Sequence, residues 1–595
     1  MISVLAFASA TALGTARANE APSATLELVP AFGPARSMPL ALVATPECPL
    51  ASTCLTADLV SAGLHVHATL GPGMRALPFV VTTDVLQDLE LRRITIRIVL
   101  PAAEVQLLGR DYRLAKTKRA LLDRFDPKWV ALRQKGKMLG AVIVDDNVDT
   151  VSVTVERDKT VLELELFSVE ARPFAHLPRC GKAWRDVHGH VTMKSRWLRA
   201  QDRLEASGEV VLGESAPIAL SPWPDGRAAA FSITDHADQS TASTLHALLA
   251  GADDADLDHP TGGLLGHGIA ITKALFLTGV AQHGWSHPQL EDPVVVSLAD
   301  RMREAGSEVV PHSATPLTDV RDVSDKALTW FGARGAHVWI DHQPQTNCEG
   351  FGQAGWHTGT GIADLLDRHR FRDVWDLTEW TAKGLDERDP AHVDKRAATV
   401  WPVGRLEPGG PSSLWLFRST WAFVPTRDFQ KRYGDVALDA LERSRGIHVA
   451  HTYLETLHPR GTFFGSRNLL VHARGTHIEL DPKLEGLLAS LQRRQQRGSL
   501  WVAPIGLIGD RMRAMTAATV RVTESGALQL HAPTGLDGLT VHVLGPATFE
   551  GAVKDQRGAF ESSRAWLKPC EGAANGCDEQ LSLRAASGSP LSLLR

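Results

Sequence analysis

Residues 228–238 read AAAFSITDHAD, an apolar run that ends in two carboxylates and an imidazole. A short apolar run without alternation is typical of a strand that is buried on both faces, as in a parallel sheet. Asp235, His236 and Asp238 come at its carboxyl end, where (β/α) barrels carry their functional residues. The stretch therefore predicts a central strand that leads into a functional site.

The same arrangement recurs along the middle of the chain, where short apolar strands alternate with helical stretches. Eight such strands predict an α/β fold with a closed (β/α) barrel over residues 221–514. The strand candidates are Ala229–Thr234, Lys273–Thr278, Glu308–Pro311, His337–Ile340, Arg372–Trp375, Leu414–Phe417, His448–Ala450 and Leu500–Ala503.

Two of the intervening helices have clear start signals. Asp292-Pro293 and Asp481-Pro482 each combine an N-cap carboxylate with a proline in the first turn, and apolar residues at helical spacing follow. We expect a helix to begin at each of these positions.

The flanking regions alternate apolar and polar residues, as in Ile94–Ile98 and Thr519–Val522. Such alternation is typical of half-buried antiparallel strands. A connector rich in proline and glycine, residues 216–227, separates the first flank from the middle of the chain. We therefore expect an N-terminal β-rich region over residues 19–220 and a small sandwich-like β domain over residues 515–595.

Residues 1–18 resemble a signal peptide, because an apolar core precedes Ala16-Arg17-Ala18, a cleavage site of the A-x-A type. No later segment reaches the ~20 apolar residues that a membrane-spanning helix needs. We expect a secreted or periplasmic protein without a membrane span.

Four of the six cysteines fall into two local pairs, Cys48 with Cys54 and Cys570 with Cys577. Two small disulfide-closed loops are therefore predicted, as an oxidising compartment permits. The alternative is that all six are unrelated thiols.

The charge balance disfavours nucleic acid as a partner. Lys and Arg total 63 against 68 for Asp and Glu, and no basic stripe is present. The chain also contains 15 Trp but 3 Tyr, and tryptophan faces serve both as core filler and as platforms for sugar rings. An uncharged or mildly charged partner fits this composition better.

Further ligand-capable side chains follow the other predicted strands. They are His312, Asp341, His342, Asp376 and His451. Because strand ends converge on one rim of a barrel, these residues are expected to meet around one centre. Two imidazoles and a carboxylate hold a divalent ion while leaving a position open for water. The pattern predicts a site at this rim with donors of the kind that such an ion needs.

The segment 234–238 resembles the first motif of the polysaccharide deacetylase (NodB-homology) family, which reads Thr-Phe-Asp-Asp. The resemblance covers roughly residues 225–510. It implies that Asp235 is the catalytic base and that His236 or Asp238 fills the ligand position. It also implies a divalent metal, with zinc first and cobalt or nickel as alternatives, in a hydrolase that removes acetyl or other acyl groups from a carbohydrate polymer.

Two further motifs extend the resemblance. His312-Ser313 resembles the start of the family's His-Ser/Thr-x-x-His metal motif, but Pro316 stands where the second histidine is expected. His342 is the nearest substitute as a metal ligand. His451 matches the family's closing Leu-x-His motif, which implies that it is the general acid.

Three more residues complete the expected site. Asp341 and Asp376 are available as acceptors for the second ring nitrogen of the histidine ligands. Arg418, at a predicted strand end, is the candidate for the family's arginine.

Two other functions remain open. Asp376 or Glu379 with Glu455 would supply the carboxylate pair of a glycoside hydrolase. The chain is alternatively a non-catalytic glycan-binding protein, because Pro316 removes one expected metal ligand.

Overall fold

The fold is described from a computed structural model of the chain. The residues described are 23–40, 43–44, 55–71, 76–101, 103–157, 159–176, 191–213, 215, 217–238, 240–279, 290–317, 319–342, 351, 361–375, 399–408, 410–421, 433–457, 470–522, 528–531, 538–544, 580–585 and 591–593. Residues 1–18 and all six cysteines lie outside these ranges. The signal peptide and the disulfides therefore remain predictions.

The first third of the chain consists of strands. They are β1 (Ser23–Pro30), β2 (Arg36–Pro39), β3 (Val43–Ala44), β4 (Leu55–Ser61), β5 (Leu64–Leu70), β6 (Ala76–Val85), β7 (Leu89–Pro101), β8 (Glu104–Leu108), β9 (Leu114–Thr117), β10 (Arg119–Asp123), β11 (Trp129–Gln134), β12 (Lys137–Val144), β13 (Thr150–Val155), β14 (Lys159–Ser168), β15 (Ala175–His176), β16 (Val191–Thr192), β17 (Arg196–Leu198) and β18 (Arg203–Leu212).

Sixteen of these strands form two large antiparallel sheets that pack face to face as a sandwich, and β15 and β16 pair separately. One sheet has the order β10-β13-β14-β7-β1-β2, with β17 beside β7, and the other has the order β3-β4-β5-β6-β18-β12-β11-β8-β9. Alternating residues point inward from both sheets, and Ile96 and Leu164 share one apolar core with Val66 and Val142.

The remaining strands are β19 (Ile218–Ser221), β20 (Ala229–Asp235), β21 (Thr272–Leu275), β22 (Glu308–Pro311), β23 (Val338–Trp339), β24 (Asp373–Trp375), β25 (Val400–Pro402), β26 (Trp415–Phe417), β27 (Thr420–Trp421), β28 (Ile447–Thr452), β29 (Val471–Arg474), β30 (His477–Leu480), β31 (Leu500–Val502), β32 (Thr519–Val522), β33 (Leu528–His531), β34 (Leu539–Leu544), β35 (Gln580–Ala585) and β36 (Leu591–Leu593). The helices are α1 (Ala242–Ala250), α2 (Gly263–His267), α3 (Pro293–Glu304), α4 (Arg321–Gly332), α5 (Ala363–Arg368), α6 (Asp435–Ser444), α7 (Pro482–Gln496) and α8 (Ile505–Met515), and Pro224–Gly226 form a 3-10 turn.

The middle of the chain forms two parallel or mostly parallel sheets. The first has the order β22-β21-β20-β28-β27, with β31 also paired to β20, and the second has the order β23-β24-β26-β25. A single bridge between His312 and Ile340 links them. All pairs in the first sheet are parallel, so the carboxyl ends of its strands lie at one edge.

The prediction of an α/β fold built on a closed (β/α) barrel is wrong. Strand accounts for 43% of the structure and helix for 22%, and large antiparallel sheets make up much of that strand. Closure requires β26 to pair with β28, but β26 is already flanked by β24 and β25, and β28 by β20 and β27. β26 and β28 do not pair, so the described strands do not form one continuous eight-stranded ring.

No helix among the described residues is both long and apolar enough to cross a bilayer. The proposed domain boundaries stay a prediction.

Candidate metal centre

The polar side chains of the candidate site follow the carboxyl ends of three parallel strands. β20 ends at Asp235 and leads into Asp238, β22 leads into His312, and β23 leads through Ile340 into His342. Since the pairing is parallel and the His312–Ile340 bridge joins the two sheets, the following residues lie close together.

Asp238, His312 and His342 form a compact cluster of possible metal ligands. Asp238 Oδ1 lies 3.2 Å from His312 Nε2 and 3.0 Å from His342 Nε2. One ligand atom from each residue lies within 4.8 Å of the other two. Both imidazoles are buried, whereas the carboxylate is 19% exposed. Two imidazoles and one carboxylate are the donor set of three-coordinate protein sites that keep an open position.

The protonation states also suit metal binding. His312 Nδ1 lies 3.3 Å from the carbonyl oxygen of Ile340, so the tautomer with a proton on Nδ1, which leaves Nε2 free to bind a metal, has an acceptor in place. Burial lowers the pKa of His312. Burial opposes ionisation of Asp238, but His342 and His312 hold the pKa of its carboxyl well below the usual range. Neutral imidazole and ionised carboxylate are the forms that bind metals.

Ser313 ties the two histidine segments together. Its backbone has a φ of 52°, in the left-handed region that non-glycine residues seldom adopt. Its N–H donates to the Ile340 carbonyl at 2.8 Å, and its hydroxyl accepts from the His342 N–H at 2.9 Å. Backbone strain of this kind persists where the surroundings enforce it.

A second pair of imidazoles lies beside the cluster. The rings of His236 and His451 are stacked with centroids 3.9 Å apart, and His236 lies 4.7 Å from the His312 ring. Burial, together with His451 and His312, holds the pKa of His236 well below its ordinary value. Its Nε2 has no hydrogen-bond partner among the described residues. Trp375 packs edge-on against both rings, at 5.3 and 5.0 Å.

Asp235, expected to act as the base, is held in a buried ion-pair network, and its role as the base stays a prediction. Lys273 Nζ lies 2.6 Å from Asp235 Oδ2 and 2.7 Å from Glu455 Oε1. The other oxygen of Asp235 accepts from the Thr452 hydroxyl at 3.1 Å and from the Leu454 N–H at 2.7 Å. Both oxygens are therefore occupied, and all three charged side chains are fully buried.

Lys273 was missed by sequence reasoning, although a lysine inside an apolar strand candidate signals a buried partner. Its pairing also bears on the glycoside hydrolase alternative. Burial raises the pKa of Glu455, and Lys273 opposes that shift. Asp376 and Glu379, the proposed partners of Glu455, lie outside the described residues.

Two other expected residues have different surroundings. Asp341 accepts from the Trp339 indole N–H and, at 2.9 Å, from the backbone N–H of Phe351, so it anchors the segment that follows β23. The Arg418 guanidinium lies 5.1 Å from the ring centroid of Trp401. Its role at the site stays a prediction.

Comparisons with known proteins were made for the whole chain. No family model matches the sequence, and no curated protein matches it either. A GH36 alpha-galactosidase from Geobacillus stearothermophilus is 10% identical, with 97% of this chain and 89% of that one covered and a TM-score of 0.27. A putative aldose 1-epimerase from Escherichia coli K12 is 9% identical over 29% of this chain and 68% of that one, with a TM-score of 0.18. A galactose mutarotase related enzyme from Lactobacillus acidophilus is 8% identical over 32% and 78%, with a TM-score of 0.17.

The resemblance to the polysaccharide deacetylase (NodB-homology) family is therefore wrong. No family model matches the sequence, that of the deacetylases included. The motif had rested on a strand followed by Asp235 and His236. The structure shows that this aspartate belongs to an ion-pair network with Lys273.

Proposed function

We propose that this chain is a carbohydrate-active hydrolase that binds one divalent transition-metal ion through Asp238, His312 and His342. The observation that carries the proposal is the approach of one carboxylate oxygen to two Nε2 atoms, at 3.2 and 3.0 Å. Imidazole-rich donor sets favour zinc, nickel or copper over magnesium or calcium.

When bound, a divalent ion in such a set activates water and polarises the bond to be hydrolysed. The protein's own part is to orient the ligands and to handle protons. The Nδ1–H of His312 is fixed on the Ile340 carbonyl, which aims Nε2 at the centre. His236 and His451 stack beside it, and we propose that their ring nitrogens exchange a proton with substrate. Lys273 orders the strand end by binding Asp235.

The substrate class is proposed from the aromatic side chains around the two stacked imidazoles. Trp375 lies 5.3 Å and Tyr453 5.6 Å from the His236 ring. Aromatic rings with a polar edge suit sugar rings, which present both C–H faces and hydroxyls. Sugars are therefore the class of substrate to test first.

The first experiment measures metal binding by the full chain. After dialysis against chelator, zinc is titrated by calorimetry into the wild type, His312→Ala and His342→Ala. We expect a binding event in the wild type that is lost, or weakened by at least ~10-fold, in both variants. His472→Ala is the matched control, because His472 also bonds a carboxylate, Asp481, but lies elsewhere. Wild-type zinc affinity in both centre variants would contradict the metal site.

The second experiment tests the reaction. Zinc-loaded and chelated protein are incubated with a panel of acylated and unmodified oligosaccharides, and mass spectrometry reports either loss of a substituent or cleavage of a linkage. We expect hydrolysis that requires metal and is abolished in His312→Ala. Unchanged masses across the panel, with metal bound, would contradict hydrolysis.

A further inference from the structure

A cleft of about 840 Å³ lies at the amino ends of β22 and β23. It is lined by Glu308, the first residue of β22, and by His337, which precedes β23. His312 and His342 follow the carboxyl ends of the same two strands, so the cleft and the metal centre lie at opposite strand ends. Ligand pockets typically measure about 300–1,000 Å³, so the cleft is large enough for a small organic molecule.

The walls of the cleft come from three helices. The end of α3 supplies Arg303 and Glu304, the turn after α4 supplies Arg334, and the start of α8 supplies Pro504 and Leu507. Leu507 is 51% exposed although it is a large apolar residue. The start of α8 therefore presents an apolar wall, which suits the carbon skeleton of a ligand.

Each carboxylate that lines the cleft is paired with a basic side chain. The pairs are Asp300 with Arg303 at 2.7 Å, Glu304 with Arg301 at 3.3 Å and Glu308 with His337 at 3.6 Å. The charges of each pair largely cancel. An ionised carboxylate has about four lone-pair sites, so these groups still accept hydrogen bonds from hydroxyl groups.

Arg334 is the charged residue of the cleft that has no such partner. Its Cζ lies 3.7 Å from the ring centroid of Trp330, and its Nη1 donates to the Trp330 carbonyl oxygen at 3.3 Å. No carboxylate of the described residues forms an ion pair with it. The indole ring thus holds the guanidinium in place, while most of its N–H donors remain for a ligand. The cleft therefore carries an uncompensated positive charge.

We infer that this cleft binds a small sugar acid, whose carboxylate pairs with Arg334 and whose hydroxyls bond to the carboxylates of the ion pairs. A planar guanidinium binds a carboxylate through two parallel hydrogen bonds, which fixes the orientation of the ligand. The carbon skeleton then packs against Leu507. This inference does not depend on the proposed function, since none of the lining residues belongs to the metal centre.

The test is saturation-transfer NMR on the full chain, after dialysis against chelator and then against chelator-free buffer, so that carboxylates have no metal ion to bind. D-glucuronate is titrated, with D-glucose as the probe without a charge and acetate as the probe without hydroxyls. We expect glucuronate to bind at least ~10-fold more tightly than either probe. Absence of glucuronate binding, or equal affinity for glucuronate and either probe, would overturn the inference.

Two substitutions test the position of the bound acid. Arg334→Gln removes the positive charge, and we expect glucuronate to bind at least ~10-fold more weakly. Leu507→Glu places a negative charge on the wall, at a position in the first turn of α8 where glutamate suits the helix. Leu507→Gln matches it in size without the charge. We expect weaker glucuronate binding in Leu507→Glu than in Leu507→Gln.

Arg113→Gln is the control for Arg334→Gln, because the Arg113 side chain is 87% exposed and lies on the N-terminal sandwich. We expect it to bind glucuronate like the wild type. His312→Ala should do the same, so a failure of the metal experiment leaves this result unaffected. Wild-type glucuronate affinity in Arg334→Gln, or equal affinities in Leu507→Glu and Leu507→Gln, would contradict binding in this cleft.

Discussion

Ser313 shows how a single residue can determine the geometry of the candidate centre. Its hydroxyl accepts the His342 N–H, and its own N–H donates to the carbonyl that also orients His312. Removing the hydroxyl leaves a buried N–H without its partner, which costs about 1–3 kcal/mol. It also frees the His342 segment to move.

We therefore expect Ser313→Ala to weaken zinc binding by ~10–100-fold and to lower the free energy of unfolding by about 1–3 kcal/mol. Calorimetry and urea denaturation measure the two effects. Ser324→Ala is the control, because Ser324 is equally buried and its hydroxyl has no hydrogen-bond partner among the described residues. Unchanged zinc affinity in Ser313→Ala would show that Ser313 does not position the metal ligands.

Lys273 is the residue whose loss we expect to cost the most. Lys273→Met leaves the carboxylates of Asp235 and Glu455 buried together without a cation, which typically destabilises a protein by about 3–5 kcal/mol. Lys116→Met, in an exposed pair with Glu104, should leave urea denaturation unchanged. A loss below about 1 kcal/mol for Lys273→Met would show that the network contributes little.

Among the helices and strands, the starts of two helices could be predicted from the residues at those positions alone. The helix expected at Asp292-Pro293 is α3, where the Asp292 carboxylate accepts from the Val294 N–H and the proline occupies the first turn. The helix expected at Asp481-Pro482 is α7, capped in the same way. These two predictions are confirmed, because capping depends on residues only two positions apart.

A cluster of charges joins the amino ends of β22 and β23 to helix α8. His337 lies 3.3 Å from Asp510 and 3.6 Å from Glu308. Burial opposes its charge, but Asp510, Glu308 and Asp373 raise the pKa of His337 to about 10. Burial raises the pKa of Glu308 to about 7, against the effect of His337. The packing of β22, β23 and α8 is therefore stabilised by the positive charge of a protonated His337.

The sign of the pH effect follows from the His337 pKa. A pKa raised from 6.5 to about 10 stabilises the fold fully below 6.5, and this contribution is lost as pH rises to about 10. We expect the free energy of unfolding to fall by at least about 1.4 kcal/mol over that window, the equivalent of one pKa unit. His337→Gln should flatten this dependence in urea denaturation. An equally steep fall in the variant would contradict the argument.

At the scale of the whole molecule, the predicted architecture failed although its strands did not. Each of the eight strand candidates overlaps an observed strand, because each is a short apolar run. Two of the short strands that were not expected, β25 and β27, pair with β26 and β28, which do not pair with each other. Strand pairings of this kind join residues that are distant in sequence, so they cannot be predicted from a local sequence pattern. Asp238, His312 and His342 were expected to meet, and they do so because three strand ends still converge, but metal binding stays a prediction. The ion pair of Asp235 was not expected, because it depends on Lys273, and no local pattern pointed to that pairing.

The N-terminal sandwich and the parallel sheets are joined through a buried guanidinium. Arg196 of β17 donates to the carbonyl oxygens of Val403 at 3.0 Å, Ser195 at 2.7 Å and Arg172 at 2.7 Å. It is fully buried, and burial lowers its pKa to about 9. A single side chain thus satisfies acceptors on the sandwich and on the segment after β25.

Arg196→Met keeps the apolar stem but removes the donors to these three carbonyls. Each unsatisfied buried group costs about 1–3 kcal/mol, so we expect a total loss of at least about 3 kcal/mol in urea denaturation. Because the contact spans the two regions, hydrogen exchange should rise both in β17 and at Val403, whereas a merely local defect would affect β17 alone. Arg113→Met, with an 87% exposed side chain, is the control and should change neither measurement. Unaltered exchange at Val403 in Arg196→Met would mean that other contacts join the two regions.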